Sequence, residues 1–237
     1  MLELAEEEEA EVVEMRYYMT KDYRIQPLDE EADHKLALLT FDDGPKDEAL
    51  VLDMLETLDR YEAKAIFFVN GYRVEQNPEL LQTIHERGQV IGNHSWDHIN
   101  LREQSVENIR QQIEDVQSIV AELTGASPRF FRPPFGAGND DVRQVAQDNG
   151  LLYMTWSNGS EDWEPAYQQP DKVIGRVLEQ LHPGSNILMH ELPWTVEALD
   201  ELLAKIREQG YEFVDPRSIQ TDQTPASPSQ QAPQSGS

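Results

Sequence analysis

The sequence predicts an α/β protein whose strands close into a distorted seven-stranded (β/α) barrel. Two observations carry the prediction. Short apolar runs alternate with helical patterns, as they do where parallel strands are joined by crossover helices. Seven such runs fall within residues 34–217, too few for a regular eightfold barrel and suited to a seven-stranded one. A doubly wound open sheet is the rival architecture, and in either fold the chemistry belongs at the C-terminal ends of the strands.

The runs occupy residues 35–41, 65–69, 89–92, 129–132, 151–156, 186–190 and 211–214. Between them, Val106, Ile109, Ile113, Val116, Val120 and Leu123 recur at helical spacing, as do Val196, Leu199, Leu202, Leu203 and Ile206. Asn77 followed by Pro78 reads as a cap and first helical turn. Outside the domain expected over 34–217, residues 1–33 read as an acidic, poorly ordered linker. Residues 218–237 read as a disordered Gln/Pro/Ser-rich tail.

Composition excludes several functions. With 45 acidic against 19 basic residues the formal charge is −26, a surface that repels nucleic acid and anionic lipid. The absence of cysteine removes disulfides, thiolate nucleophiles and Cys-based zinc sites, so any metal must sit on His and carboxylate ligands. No run approaches a membrane span. The N-terminal Glu6 to Glu9 stand where a signal peptide needs basic and then apolar residues, so a soluble chain with no visible signal is expected.

Chemistry-bearing residues gather where strands end. Asp42 and Asp43 follow the first run, before the Gly44-Pro45 turn; alone, the pair reads equally as a turn or a helix cap. His94 and His98, four apart after the third run, can converge on one metal in a helix or a tight loop. A carboxylate would complete a facial triad with open positions. Arg132 opens Arg-Pro-Pro-Phe-Gly, whose two prolines fix the direction of the Phe135 N–H, and such a donor near a metal is half an oxyanion hole. Asp162-Trp163 and a run ending in His190 supply a carboxylate and a histidine fit for proton delivery. His34, His85 and His182 read as structural or surface residues.

In order and wording, these segments resemble the polysaccharide deacetylases with a NodB homology domain, carbohydrate esterase family 4. The resemblance covers residues 34–217 and rests on Thr40-Phe41-Asp42-Asp43-Gly44-Pro45, His94-Ser95-Trp96-Asp97-His98, Arg132 to Gly136, Asp162-Trp163 and Leu188-Met189-His190. It implies a NodB-like barrel and a divalent metal on Asp43, His94 and His98, zinc first, with cobalt, nickel or manganese as alternatives. It further implies Asp42 as base, Arg132 as its orienting partner, and His190 as general acid supported by Asp162. Trp163 and Leu188 would line the acetyl-methyl pocket.

The implied activity is hydrolysis of N-acetyl groups on a GlcNAc-containing polysaccharide of peptidoglycan or chitin type. An O-acetyl xylan-type esterase and a carbohydrate-binding pseudoenzyme are the alternatives. The resemblance also implies an extracytoplasmic monomer whose partner is an acetylated polysaccharide or oligosaccharide. The chain departs from the family pattern at Gly159 and Glu191, where Asp is usual, and at Phe135, where Tyr is common.

Overall fold

The computed structural model describes residues 13–222; the remainder of the expected linker and tail lies outside the described residues. An antiparallel hairpin comes first, β1 (Tyr17–Met19) and β2 (Ile25–Pro27). The domain then runs β3 (Leu36–Gly44), α1 (Glu48–Arg60), β4 (Ala65–Val69), α2 (Gly71–Gln76), α3 (Pro78–Glu86), β5 (Val90–Asn93), α4 (Val106–Thr124) and β6 (Phe130–Phe131). It continues with α5 (Asp140–Asp148), β7 (Leu152–Tyr153), β8 (Asn158–Gly159), α6 (Pro170–Glu179), β9 (Ser185–His190), α7 (Pro193–Glu208) and β10 (Glu212–Phe213).

Strand order decides between the two expected architectures. The parallel sheet runs β7-β6-β5-β4-β3-β9-β8, with β10 also on β3. Read from β3, the order rises through β7 on one side and resumes with β8 and β9 on the other, the cyclic sequence of a singly wound barrel. A doubly wound sheet would reverse at a switch point. Among the described residues no ladder joins β7 to β8, so the barrel is open there. Ala37 pairs with Ser185 of β9 and with Phe213 of β10. Hence β10 takes the start of the β3 edge that β4 occupies from Leu39 onward.

Each of the seven expected runs contains a strand. The sequence reading missed β8, whose Asn-Gly dipeptide reads as a turn; it is held by its surroundings, with Asn158 Nδ2 donating to Val177 O (3.0 Å) and Gln180 Nε2 to Gly159 O (2.7 Å). Val106 is also not the core residue its spacing suggests, lying 45% exposed in the first turn of α4, while Ile109, Ile113, Val116 and Val120 are buried. Pro78 does open α3, but the Asn77 side chain caps nothing and donates instead to the carbonyls of Pro45 (3.2 Å) and Arg73 (3.3 Å).

Strand alternation sorts the apolar residues into two layers. Ala37, Leu39 and Phe41 pack outward with Val51, Leu55, Leu199 and Leu203 of the helices. Leu36 and Leu38 face the barrel interior with Ile66, Phe68, Phe130, Leu152 and Met154. The period-2 rule therefore puts Thr40 and Asp42 on the interior face, above Leu38.

The hairpin corrects the expectation of a poorly ordered linker through residue 33. Ile25 is fully buried in the interior layer, and its N–H donates to Gly184 O (2.9 Å) just before β9. Gly184 sits at φ 76°, and a Cβ there would stand 2.2 Å from Ile25 O. The tail also starts later than residue 218, because Ile219 is fully buried and bridges Tyr17. The hairpin and the segment around Ile219 thus close the N-terminal end of the barrel, opposite the strand ends that carry the chemistry. Sequence reasoning missed the hairpin because three-residue strands in an acidic context leave too short a pattern, and missed Ile219 because a single apolar residue leaves none.

Candidate active site

In a regular strand Asp42 and Asp43 would point to opposite faces. Asp42 pairs with Phe68 of β4 and His190 of β9, but the next β4 residue, Val69, pairs with Gly44, leaving Asp43 as the extra residue of a bulge. Asp43 takes φ 69°, and such a bulge re-aims a side chain. Both carboxylates thereby reach the mouth of the barrel. Asp42 Oδ2 lies 3.6 Å and Asp43 Oδ1 3.5 Å from the same His94 Nε2.

His94 and His98 lie in a tight loop after β5. The loop is pinned by Asn70 Nδ2 donating to His94 O (2.9 Å) and by Gln112, which accepts from the Asp97 N–H (2.8 Å) and donates to its carboxylate (2.7 Å). Gly71 lies directly against Trp96, where a Cβ would come 2.1 Å from Cε3. Ser95 and His98 both adopt positive φ, 66° and 55°, strain of the kind found where function fixes geometry.

One ligand atom each from Asp43, His94 and His98 falls within 4.8 Å of the others. His94 Nδ1 lies 2.7 Å from Arg132 O; a carbonyl only accepts, so Nδ1 carries the proton and Nε2 is left as the lone-pair donor. Burial lowers the pKa of His94 and favours its neutral form, the form that ligates metal. Asp43 Oδ1 is buried, 3.1 Å from His98 Nε2, yet is aligned for a hydrogen bond with no donor. A carboxylate oxygen orphaned between two imidazole nitrogens fits a divalent cation. Two nitrogens and one oxygen, with the remaining positions open, are the donor set of a catalytic site. Burial works against the charge on Asp43, but the adjacent His98 and His94 rings outweigh it and hold the carboxyl well below its usual range.

Arg132 is fully buried. Its Nη1 donates to Asp42 Oδ1 (2.7 Å) and Thr40 Oγ1 (2.8 Å), and its Nη2 to Thr155 O (2.8 Å) and Asn186 Oδ1 (3.3 Å). The guanidinium also stacks over the Phe68 ring at 4.4 Å. Through its side chain it fixes Asp42, and through its carbonyl it fixes His94. With Oδ1 engaged, Asp42 turns Oδ2 toward the three ligands.

His190 ends β9. Its Nδ1 lies 2.7 Å from Asp162 Oδ1, and Asp162 Oδ2 accepts from the His190 N–H (2.8 Å) and from Thr195 Oγ1 (2.7 Å). Burial disfavours the imidazolium, but the Asp162 hydrogen bond and charge outweigh burial, so the His190 pKa is raised. A raised folded pKa stabilises the fold fully below the unfolded value of about 6.5, and that increment is lost as pH rises through the folded value. The difference in unfolding free energy between the native chain and Asp162→Asn should therefore shrink as urea titrations move from pH 6 to pH 9. A pH-independent difference would mean that His190 is not the proton-carrying partner.

Comparison with known proteins bears on what this arrangement belongs to. A family model described as polysaccharide deacetylase matches residues 29–154. The peptidoglycan-N-acetylglucosamine deacetylase PgdA of Listeria monocytogenes is 39% identical over 198 residues, covering 83% of this chain and 41% of that protein. The chain belongs to the polysaccharide deacetylase family.

Solved structures of this deacetylase family agree. Peptidoglycan deacetylase PdaC from Bacillus subtilis superposes with a TM-score of 0.70 at 35% identity, covering 77% of this chain and 89% of that one. A CE4 family pseudoenzyme from Bacillus anthracis gives 0.72 at 32% identity, covering 76% and 63%. The chain spans about two fifths of the length of the Listeria deacetylase. The family-model match ends before Asp162 and His190, so in that second half the geometry carries the assignment.

The remaining family positions fall around the same mouth. Phe135 takes φ 60°, and its ring, 66% exposed, meets His98 edge-on at 4.7 Å. Trp163, 40% exposed, meets His190 edge-on at 5.2 Å. Leu188 is buried on β9 between Asn186 and His190, all three on the face that Arg132 occupies.

Of the deacetylase departures, Gly159 lies in β8, its peptide bracketed by Gln180. Glu191 does not engage His190. Its buried carboxylate accepts from the backbone N–H of Asp47 (2.7 Å) and Lys46 (3.1 Å), tying the end of β9 to the turn after Asp43. Sequence reasoning missed this strap, and also Asn186 and Thr195, because none carries a motif and each acts from a different strand or helix; Thr40 was visible only as the start of its motif, not as a partner of Arg132.

Proposed function

We propose that this chain hydrolyses N-acetyl groups of a GlcNAc-containing cell-wall polysaccharide, releasing acetate. The observation that carries the reading is the meeting, at one barrel mouth, of a metal-ligand triad, a carboxylate with one free oxygen and a histidine with a raised pKa. The cation is divalent, and zinc suits two imidazoles and a carboxylate. When bound, it polarises the acetyl carbonyl and makes a water acidic enough to ionise near neutral pH.

The side chains supply the rest. Asp42 takes the proton of the attacking water through Oδ2, while Arg132 keeps Oδ1 engaged and the carboxylate oriented. The Phe135 N–H steadies the negative charge that develops on the former carbonyl oxygen. His190, its Nδ1–H held by Asp162, passes a proton from Nε2 to the departing sugar nitrogen, giving acetate and a free amine. Leu188 and Trp163 enclose the acetyl methyl, and the exposed Phe135 and Trp163 rings offer faces to the sugar chain. The peptidoglycan substrates in the names of the relatives support an activity outside the cytoplasm.

Resemblance to a pseudoenzyme at 32% identity motivates a rival, a carbohydrate-binding protein without turnover. Chelation separates them. Treatment with chelator should abolish acetate release from peptidoglycan and lower Tm, and added zinc should restore both. A chain that holds no divalent ion, or whose activity survives chelation, would contradict the deacetylase reading.

A further inference from the structure

Among the described residues two cations near the metal-ligand triad make no side-chain hydrogen bond or close ion pair, although Arg73 lies over the Tyr72 ring at 5.0 Å and the buried Glu191 carboxylate is within the field of both. Lys46 follows the turn at the end of β3, and Arg73 lies on α2, directly after β4. Their segments are knit together, with the Asn70 N–H donating to Gly44 O (3.1 Å) and Asn77 Nδ2 donating to the carbonyls of both Pro45 and Arg73. Neither side chain is fully exposed, and Arg73 Nε is buried without an acceptor.

Elsewhere the cations are used. Among the described residues every other Lys or Arg side chain except Lys21, on the exposed hairpin turn, reaches a carboxylate, a carbonyl or a hydroxyl. With 45 acidic residues against 19 basic ones, partners for two more were abundant. Two like charges held together and partly desolvated repel each other. Burial pushes the Lys46 ammonium down and Arg73 adds to that, while Asp43, Glu191 and Asp162 oppose it.

We propose that Lys46 and Arg73 form an anion subsite next to the triad that takes a carboxylate carried by the sugar chain being deacetylated. A guanidinium fork and a mobile ammonium together match a carboxylate. The charge of the whole chain supplies the need for such a site. At −26 the protein repels an acidic glycan, and a local cation pair offsets that repulsion where the polymer must enter. A neutral polymer such as chitin or xylan needs no such pair. The inference rests on the deacetylase reading and deepens it by naming the substrate class as a carboxylate-bearing N-acetylated glycan.

The test compares a peptidoglycan-derived oligosaccharide with free carboxylates, the same oligosaccharide with its carboxylates amidated, and a chitin tetramer. The zinc-loaded full chain is assayed as Lys46→Gln, Arg73→Gln and the double variant. The native chain should prefer the free-carboxylate form, and the preference should fall as salt rises. The double variant should raise KM for that form about tenfold or more, with kcat held and both neutral substrates unaffected. A structural role, such as countercharge to the buried Glu191, would lower activity on all three alike and would overturn the proposal. So would a double variant that matches the native chain on all three. A native chain that releases acetate from none of them overturns the deacetylase reading first, and the subsite with it.

Discussion

Asp42→Asn is expected to lower kcat for acetate release about a thousandfold while metal content stays near that of the native chain; Tm falls, because the fully buried Arg132 loses its countercharge. The amide keeps the shape and can still accept from Arg132 Nη1, now 2.7 Å from Oδ1, so the interior need not rearrange. What disappears is the proton acceptor on the oxygen that faces His94 Nε2 at 3.6 Å. Asp43 and the two histidines are untouched, which separates loss of the base from loss of the metal. Zinc content measured beside single-turnover acetate release checks both halves. A variant that binds zinc and retains activity would move the base to another residue.

The largest effect on stability is expected at Arg132. Arg132→Met removes a fully buried cation from an Asp42 that is itself only 3% exposed, and breaking a buried pair from one side costs about 3–5 kcal/mol. The loss also strands Thr40, Asn186 and the Thr155 carbonyl, which the guanidinium now ties to one point. Urea unfolding should show a lower midpoint with an unchanged slope. Because part of the penalty is the unpaired carboxylate, Asp42→Asn combined with Arg132→Met should recover some of it. Strict additivity of the two single changes would show that the pair is not coupled.

How much of this was legible in the sequence follows from the kind of signal each feature leaves. Buried parallel strands read as apolar runs, so the runs at 35–41, 65–69 and 186–190 were visible along with the helices between them. Asp42, Asp43, His94 and His98 were visible because the types and spacing of metal ligands are few. The bulge that turns Asp43 beside Asp42 was not, since a positive φ at an Asp leaves no pattern. Nor was the cage around Arg132, where residues 40 and 186 of two strands meet residues 132 and 155 just beyond the ends of two others and one contact is a backbone carbonyl. Glu191 could be seen as a departure from the usual Asp. Only the fold shows that it reaches back to the Lys46 and Asp47 N–H groups.

On the proposed function, the site cleaves the bond between an acetyl group and a sugar nitrogen. The most direct measurement is the ratio of acetate released to free amine formed when the zinc-loaded chain acts on peptidoglycan. Cleavage at nitrogen predicts one new amine for each acetate, with both products absent in Asp42→Asn. Acetate without new amine would identify an O-acetyl esterase, and neither product would identify a protein that binds the polymer without turning it over; either result contradicts the account.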